Sequence, residues 1–162
     1  LAAPDIFAPL TALTPDMVEA LMQALQKRYD HIIVDMPQAM LDWIEPVFER
    51  AVQALIVTDT SVPSIKRTRR LIDVLTEEHM TLTVQVVINK ERRPMILSDA
   101  QKEAARLLGR RLEHWIPDDP ARARKALDAG VPMIQSGPKS RPGKAISALS
   151  QTLFALTRTE AS

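Results

Sequence analysis

Cysteine is absent from the 162 residues, glycine occurs 4 times, and aromatic side chains make up only 4% of the chain. The first absence excludes disulfide frameworks, thiolate zinc sites, iron–sulfur clusters and cysteine nucleophiles, and it fits a reducing compartment. The scarcity of glycine leaves no Gly-rich loop to cradle a phosphate, because the four stand apart at 109, 130, 137 and 143. No apolar run approaches the roughly 20 residues that span a bilayer. The start, Leu1-Ala2-Ala3-Pro4-Asp5, has neither the charged nor the apolar region of a signal peptide. A cytoplasmic domain is the resulting expectation. The first residue is not Met, so the chain reads as part of something longer.

Hydrophobic residues make up 46% of the chain and charged residues 25%, in a length suited to one domain with one core. The net charge of +1 conceals an asymmetry. Through Asp59 there are 9 acidic and 3 basic residues, against 11 acidic and 18 basic afterwards. This is read as a dipolar, solvated surface in preference to an anion-facing one.

Thr14-Pro15 followed by Val18, Leu21, Met22 and Leu25 predicts a capped helix ending near Arg28. His31-Ile32-Ile33-Val34-Asp35 is a continuous apolar run and predicts a strand covered on both faces, stopped by Pro37. A second helix carrying Met40, Leu41, Ile44, Val47 and Phe48 is expected to be bent or interrupted by Pro46, and it leads to a strand at 54–58. After Pro63 comes a helix with Ile65, Leu71, Ile72 and Leu75 on one face and Lys66, Arg67, Arg69 and Arg70 on the other. A strand at 82–88 comes next, then a helix opened by the capping box of Ser98 and Gln101 and stopped by Gly109. The remainder reads as a strand at 112–116, a short helix from Pro120 to Gly130, a loop at 131–142 and a last helix with Ile146, Leu149, Leu153 and Leu156. This alternation predicts a layered α/β domain with a mostly parallel sheet.

In such a sheet, ligands bind beyond the carboxyl ends of the strands. Those positions are Asp35, Thr58-Asp59, Asn89-Lys90 and Pro117-Asp118. Asp35 suits a carboxylate that holds magnesium through water or accepts a phosphoryl group. A receiver domain would want such an Asp with a Thr and a Lys on later strand ends, as Asp35, Thr58 and Lys90 supply. It would also want an acidic pair on an earlier strand end, which Asp5 alone does not provide, and the chain runs too far past Lys90. Other chemistries find less support. His31, His79 and His114 share no metal-ligand spacing, and no Gly-x-Ser-x-Gly nucleophile turn occurs.

Four ordered segments carry a family resemblance. Tyr29 to Pro37, with its apolar strand ending in Asp-x-Pro, resembles the Walker B and switch segment of the MinD/ParA family of P-loop ATPases. Residues 54–65 resemble that family's next strand, loop and helix. Val86-Val87-Ile88-Asn89-Lys90 is similar to its strand ending in Asn-Arg or Asn-Lys. Trp115-Ile116-Pro117-Asp118, with Ala126 and Gly130-Val131-Pro132, is similar to its Ile-Pro-x-Asp segment and the Ala and Gly-x-Pro downstream of it. The wording is most similar to the TadZ/CpaE branch, which localises and assists assembly of Flp/Tad pilus secretion systems. Nothing resembles the family's deviant Walker A loop. Residues 1–162 are therefore expected to be the C-terminal portion of one such domain, its fold lacking the N-terminal P-loop part.

By this resemblance Asp35 is the Walker B carboxylate near Mg²⁺, Pro37 and its neighbours the γ-phosphate switch, Asn89 a contact to the adenine edge, and Pro117 and Asp118 the backbone of the base pocket. It implies ATP and Mg²⁺ in the intact protein, with neither held tightly nor ATP hydrolysed by this fragment. It also implies a homodimer, pilus machinery as partners, and a cytoplasmic location, peripheral at the inner membrane or cell pole. The basic helix at 66–70 is read as a solvated face offering at most weak contact with lipid or DNA, without specific nucleic-acid recognition. The last helix is expected to pack on the sheet. The alternative is a receiver-like or degenerate-ATPase scaffold that recruits partners without nucleotide.

Overall fold

The computed structural model describes residues 13–36 and 41–160, with side chains as far as residue 155. The chain divides into two compact units, Leu1–Ala51 and Val52–Ser162.

In the first unit, α1 (Pro15–Gln26) begins as expected. Thr14 is the N-cap, its Oγ1 accepting the Met17 N–H at 3.3 Å, and Pro15 opens the first turn where its missing N–H costs nothing. Val18 and Met22 of this helix bury themselves with Val47, and Leu25, Ile32, Met36 and Trp43 pack against that cluster. The Arg50 guanidinium pairs with Glu19 and also donates to the Pro46 carbonyl at 3.1 Å.

Two expectations are corrected here. The helix through Phe48 is instead a 3-10 turn (Asp42–Ile44) followed by the single turn of α2 (Glu45–Phe48). Pro46 interrupts the expected helix and stands in the first turn of α2, the one place in a helix where its ring is tolerated. Met40 lies outside the described residues. The run His31–Asp35 is not a strand. β-branched residues favour an extended chain, yet a strand also needs a neighbouring strand to complete its hydrogen bonds. No strand pairs with it among the described residues, and Ile33 is 93% exposed.

The second unit is a parallel α/β layer. Its strands β1 (Gln53–Thr58), β2 (Thr83–Asn89) and β3 (His114–Ile116) lie in the order β1-β2-β3. Ile56 stands opposite Val86, and Ile88 opposite Trp115. That face is closed, with Ile88 fully buried. The helix α3 (Val62–Glu78) packs on β1 and β2 through a stripe that includes Ile65, Ile72 and Leu75, and α4 (Asp99–Leu108) packs on α3. The capping box of α4 is formed, and Gly109 closes it at φ +64, a conformation that favours glycine over any residue with a Cβ.

After β3 come α5 (Pro120–Asp128), α6 (Met133–Ser136) and α7 (Arg141–Glu160), the last packed on β3. The stretch expected as a loop at 131–142 thus contains one helical turn and the start of α7. Its Pro and Ser residues act as helix starters: Pro132 precedes α6, and the Ser140 Oγ accepts the Gly143 N–H at 3.1 Å in the first turn of α7. A Cβ on Gly143 would collide with the Gly137 carbonyl, which requires glycine at that crossing. The Gln53 side chain donates to the Leu153 carbonyl at 3.1 Å, so α7 covers the face of the sheet opposite α3. Leu55 and Val57 on that same face remain exposed. Among the described residues no helix is long and apolar enough to cross a membrane.

Candidate functional site at the carboxyl ends of the strands

Parallel pairing brings the ends of β1, β2 and β3 to one edge. Asn89 closes β2 directly opposite Ile116, so Pro117 and Asp118 leave β3 beside it. Asn89 is half-buried, and its Oδ1 accepts the N–H of Lys90 at 3.0 Å. That bond holds Lys90 in the left-handed region at φ +61, uncommon for a residue with a Cβ and a point where the chain turns sharply out of the sheet. Its Nδ2 makes no hydrogen bond among the described residues. Pro117 is half-buried and Asp118 exposed, while Asp119 caps α5 by accepting the Arg122 N–H at 3.1 Å.

The loop after β1 is held by a residue that no sequence motif singled out, Glu91, which follows β2. The Glu91 carboxylate accepts both the N–H of Thr60, at 2.9 Å, and its hydroxyl, at 2.7 Å. The Glu91 N–H in turn donates to the Ile116 carbonyl at 3.1 Å. Glu91 therefore ties the loops after β1 and β2 to the last residue of β3. Thr60 and Glu91 are 31 positions apart, a separation at which no local pattern signals a pairing. The second set was more legible. Asp59 accepts the Ser61 N–H at 2.8 Å and the Ser64 hydroxyl at 3.1 Å, placing a carboxylate at the positive end of α3. An Asp two residues before Ser61 is the usual signature of such a turn.

These contacts set the ionisation of Asp59. The Ser61 side chain and N–H hold its carboxyl below the ordinary 3.8, with burial opposing them and the Ser64 hydroxyl and the charge of Lys90 adding smaller effects in the same downward direction. A depressed folded-state value contributes stability that is present above the unfolded value and lost as pH falls through the folded one. Comparing wild type with Asp59→Asn by denaturant unfolding, the stability difference is expected to be constant above about pH 5 and to shrink below about pH 4. A difference that ignores pH would refute the assignment.

Among the remaining sequence candidates, Asp35 is exposed in the first unit, and Pro37 lies outside the described residues. His114 meets Gln85 at 2.8 Å, a cross-strand polar pair. A cavity of about 480 Å³ flanks β3 and α7, bordered by Arg93, Glu113, His114, Ile116, Ala148 and Thr152.

No protein-family model matches the chain. Over 82 residues, 51% of the chain, it is 24% identical to the septum site-determining protein MinD of Bacillus subtilis (strain 168), covering 31% of that protein. The fold matches the crystal structure of a ParA family ATPase from Chlorobium tepidum TLS with a TM-score of 0.75 and 25% identity, over 89% of this chain and 59% of that one. It matches the Pyrococcus furiosus cell division ATPase MinD with a TM-score of 0.69 and 24% identity, over 88% of this chain and 59% of that one. The chain spans half or less of the length of the curated relatives it matches. It has the parallel α/β fold of the MinD/ParA-family P-loop ATPases.

Proposed function

We propose that this chain is the C-terminal portion of a MinD/ParA-like ATPase domain of the TadZ/CpaE type. In that reading the intact protein works as a dimer, a nucleotide-switched localisation factor for Flp/Tad pilus machinery. The observation that carries the nucleotide reading is the edge at which Asn89 and the Pro117-Asp118 segment lie side by side, tied by Glu91 to the loop after β1. Asn89, with a free amide donor on Nδ2, and the backbone at Pro117 and Asp118 would form the adenine side of the site. Asp35 would hold Mg²⁺ through water, with Pro37 and its neighbours as the switch.

The residues present fit the base better than the phosphates. Gly109 and Gly130 sit in left-handed turns at the ends of α4 and α5, and Gly137 and Gly143 pack at the start of α7. None forms a phosphate cradle of successive N–H groups. When bound in the intact protein, ATP with Mg²⁺ would supply the switch between two states.

The test is the coding sequence upstream of Leu1 together with nucleotide titration. A Lys-Gly-Gly-x-Gly-Lys-Thr/Ser type loop is expected there. Calorimetric titration should show tight ATP binding for the intact protein and only weak binding for the 162-residue chain. A degraded loop with no binding by the intact protein would favour the second reading, a scaffold that recruits partners without nucleotide.

A further inference from the structure

Between β2 and α4 the chain projects a loop, residues 90–98, whose two ends are fixed. At its start Lys90 turns the chain out of the sheet, Glu91 bonds through its N–H to the Ile116 carbonyl, and its carboxylate grips Thr60. At its end Ser98 and Gln101 bond each other reciprocally, at 3.3 and 3.0 Å, as the cap of α4. Pro94 and Leu97 are half-buried on either side of the tip. The tip itself is bare: Met95 and Ile96 stand at 104% and 83% of their reference accessible surface. Single exposed apolar residues are ordinary, but two adjacent ones at the apex of a segment pinned at both ends are displayed outward.

The surroundings are cationic. Arg92 and Arg93 are exposed immediately before the tip and make no ion pair among the described residues, although Arg93 also borders the cavity beside β3. Glu91, the one acid among residues 90–96, is engaged with Thr60. The helix α3 starts at the same edge of the sheet, and it exposes Val62 and Lys66 in its first turns.

We propose that this loop docks the protein on an anionic lipid surface, with Met95 and Ile96 entering the boundary between headgroups and acyl chains and Arg92 and Arg93 pairing with lipid phosphates. A convex apolar tip fits a fluid bilayer, which needs no complementary pocket. A second copy fits less well, since a two-fold axis through the tip would set the same arginines against each other. The device is separate from α7 and from the nucleotide reading, so it stands or falls independently of that reading.

The test is co-sedimentation of the 162-residue chain with vesicles of phosphatidylcholine alone or mixed equally with phosphatidylglycerol, at low and high salt. Binding is expected to the anionic vesicles only and to weaken with salt. Met95→Ser with Ile96→Ser should lower partitioning at least about tenfold. Arg92→Gln with Arg93→Gln should lower it by about 25-fold at low salt. Because all four side chains are exposed, circular dichroism should show each variant folded. A Met95→Trp variant should gain blue-shifted emission with anionic vesicles, relative to wild type. Absence of sedimentation, equal sedimentation of the double serine variant, or unchanged Trp emission overturns the proposal. So does concentration-dependent self-association that the serine variant abolishes without any vesicle binding, which would assign the tip to a second copy.

Discussion

Trp115→Ala is expected to cost about 3–5 kcal/mol, enough to leave the parallel layer of the second unit marginal or unfolded. Trp115 is 6% exposed on the closed face of the sheet, opposite Ile88 in register, and its Nε1 donates to the Leu112 carbonyl at 2.7 Å. Truncation would remove the packing of the largest side chain on β3 and leave the Leu112 carbonyl without that donor. Since β3 has only three residues, it has little other packing with which to hold its register. Trp115→Phe separates the two effects. It keeps an aromatic ring but orphans the same carbonyl, and about 1–3 kcal/mol is expected. Urea unfolding followed by circular dichroism measures both. If the alanine variant unfolded at the wild-type midpoint, the closed face could not be the core of this unit.

The second unit was largely legible because its signals are local. Ser98 with Gln101, and Gly109 at the far end, marked both ends of α4 through hydrogen bonds made within a turn or two. The apolar runs that became β1, β2 and β3 were legible because they are apolar and β-branched, although one face of β1 leaves Leu55 and Val57 exposed. The same rule overreached at His31–Asp35. An apolar run reports extended, water-avoiding backbone, whereas a strand is a relation between two segments, and sequence pattern contains only one of them. The stretch at 131–142 was less legible for a related reason: proline and serine suit loops as well as first turns, and only their place before α6 and in the first turn of α7 makes them helix starters.

The site was less legible than the fold. The strand ends at Asn89 and Pro117 followed from the sheet rule, and their juxtaposition follows from the register of β2 and β3. The Glu91–Thr60 contact is created by that register and has no counterpart in spacing. The apolar tip at Met95 and Ile96 lay between two clearly marked elements, where composition shows two ordinary hydrophobic residues. Only their exposure distinguishes them from core.

In the intact protein, Asp35→Ala is expected to reduce ATP turnover by about 100-fold or more, the scale of losing a group that orients a catalytic metal's water. The structural context makes this variant informative. Asp35 is exposed and stands apart from the buried residues Val18, Met22 and Val47 of the first unit, so its removal should leave the unfolding midpoint within about 0.5 kcal/mol of wild type. Loss of turnover with unchanged stability would then mean lost chemistry. A metal role also predicts which step suffers: the Mg²⁺ concentration needed for half-maximal turnover should rise, while affinity for ATP in the absence of Mg²⁺ stays constant. Asp35→Asn should behave like Asp35→Ala, because the amide keeps the shape but lacks the charge that draws hydrated Mg²⁺. Wild-type turnover in either variant would refute the role given to Asp35 and leave the base-side edge of Asn89 and Pro117 as a binding surface without hydrolysis.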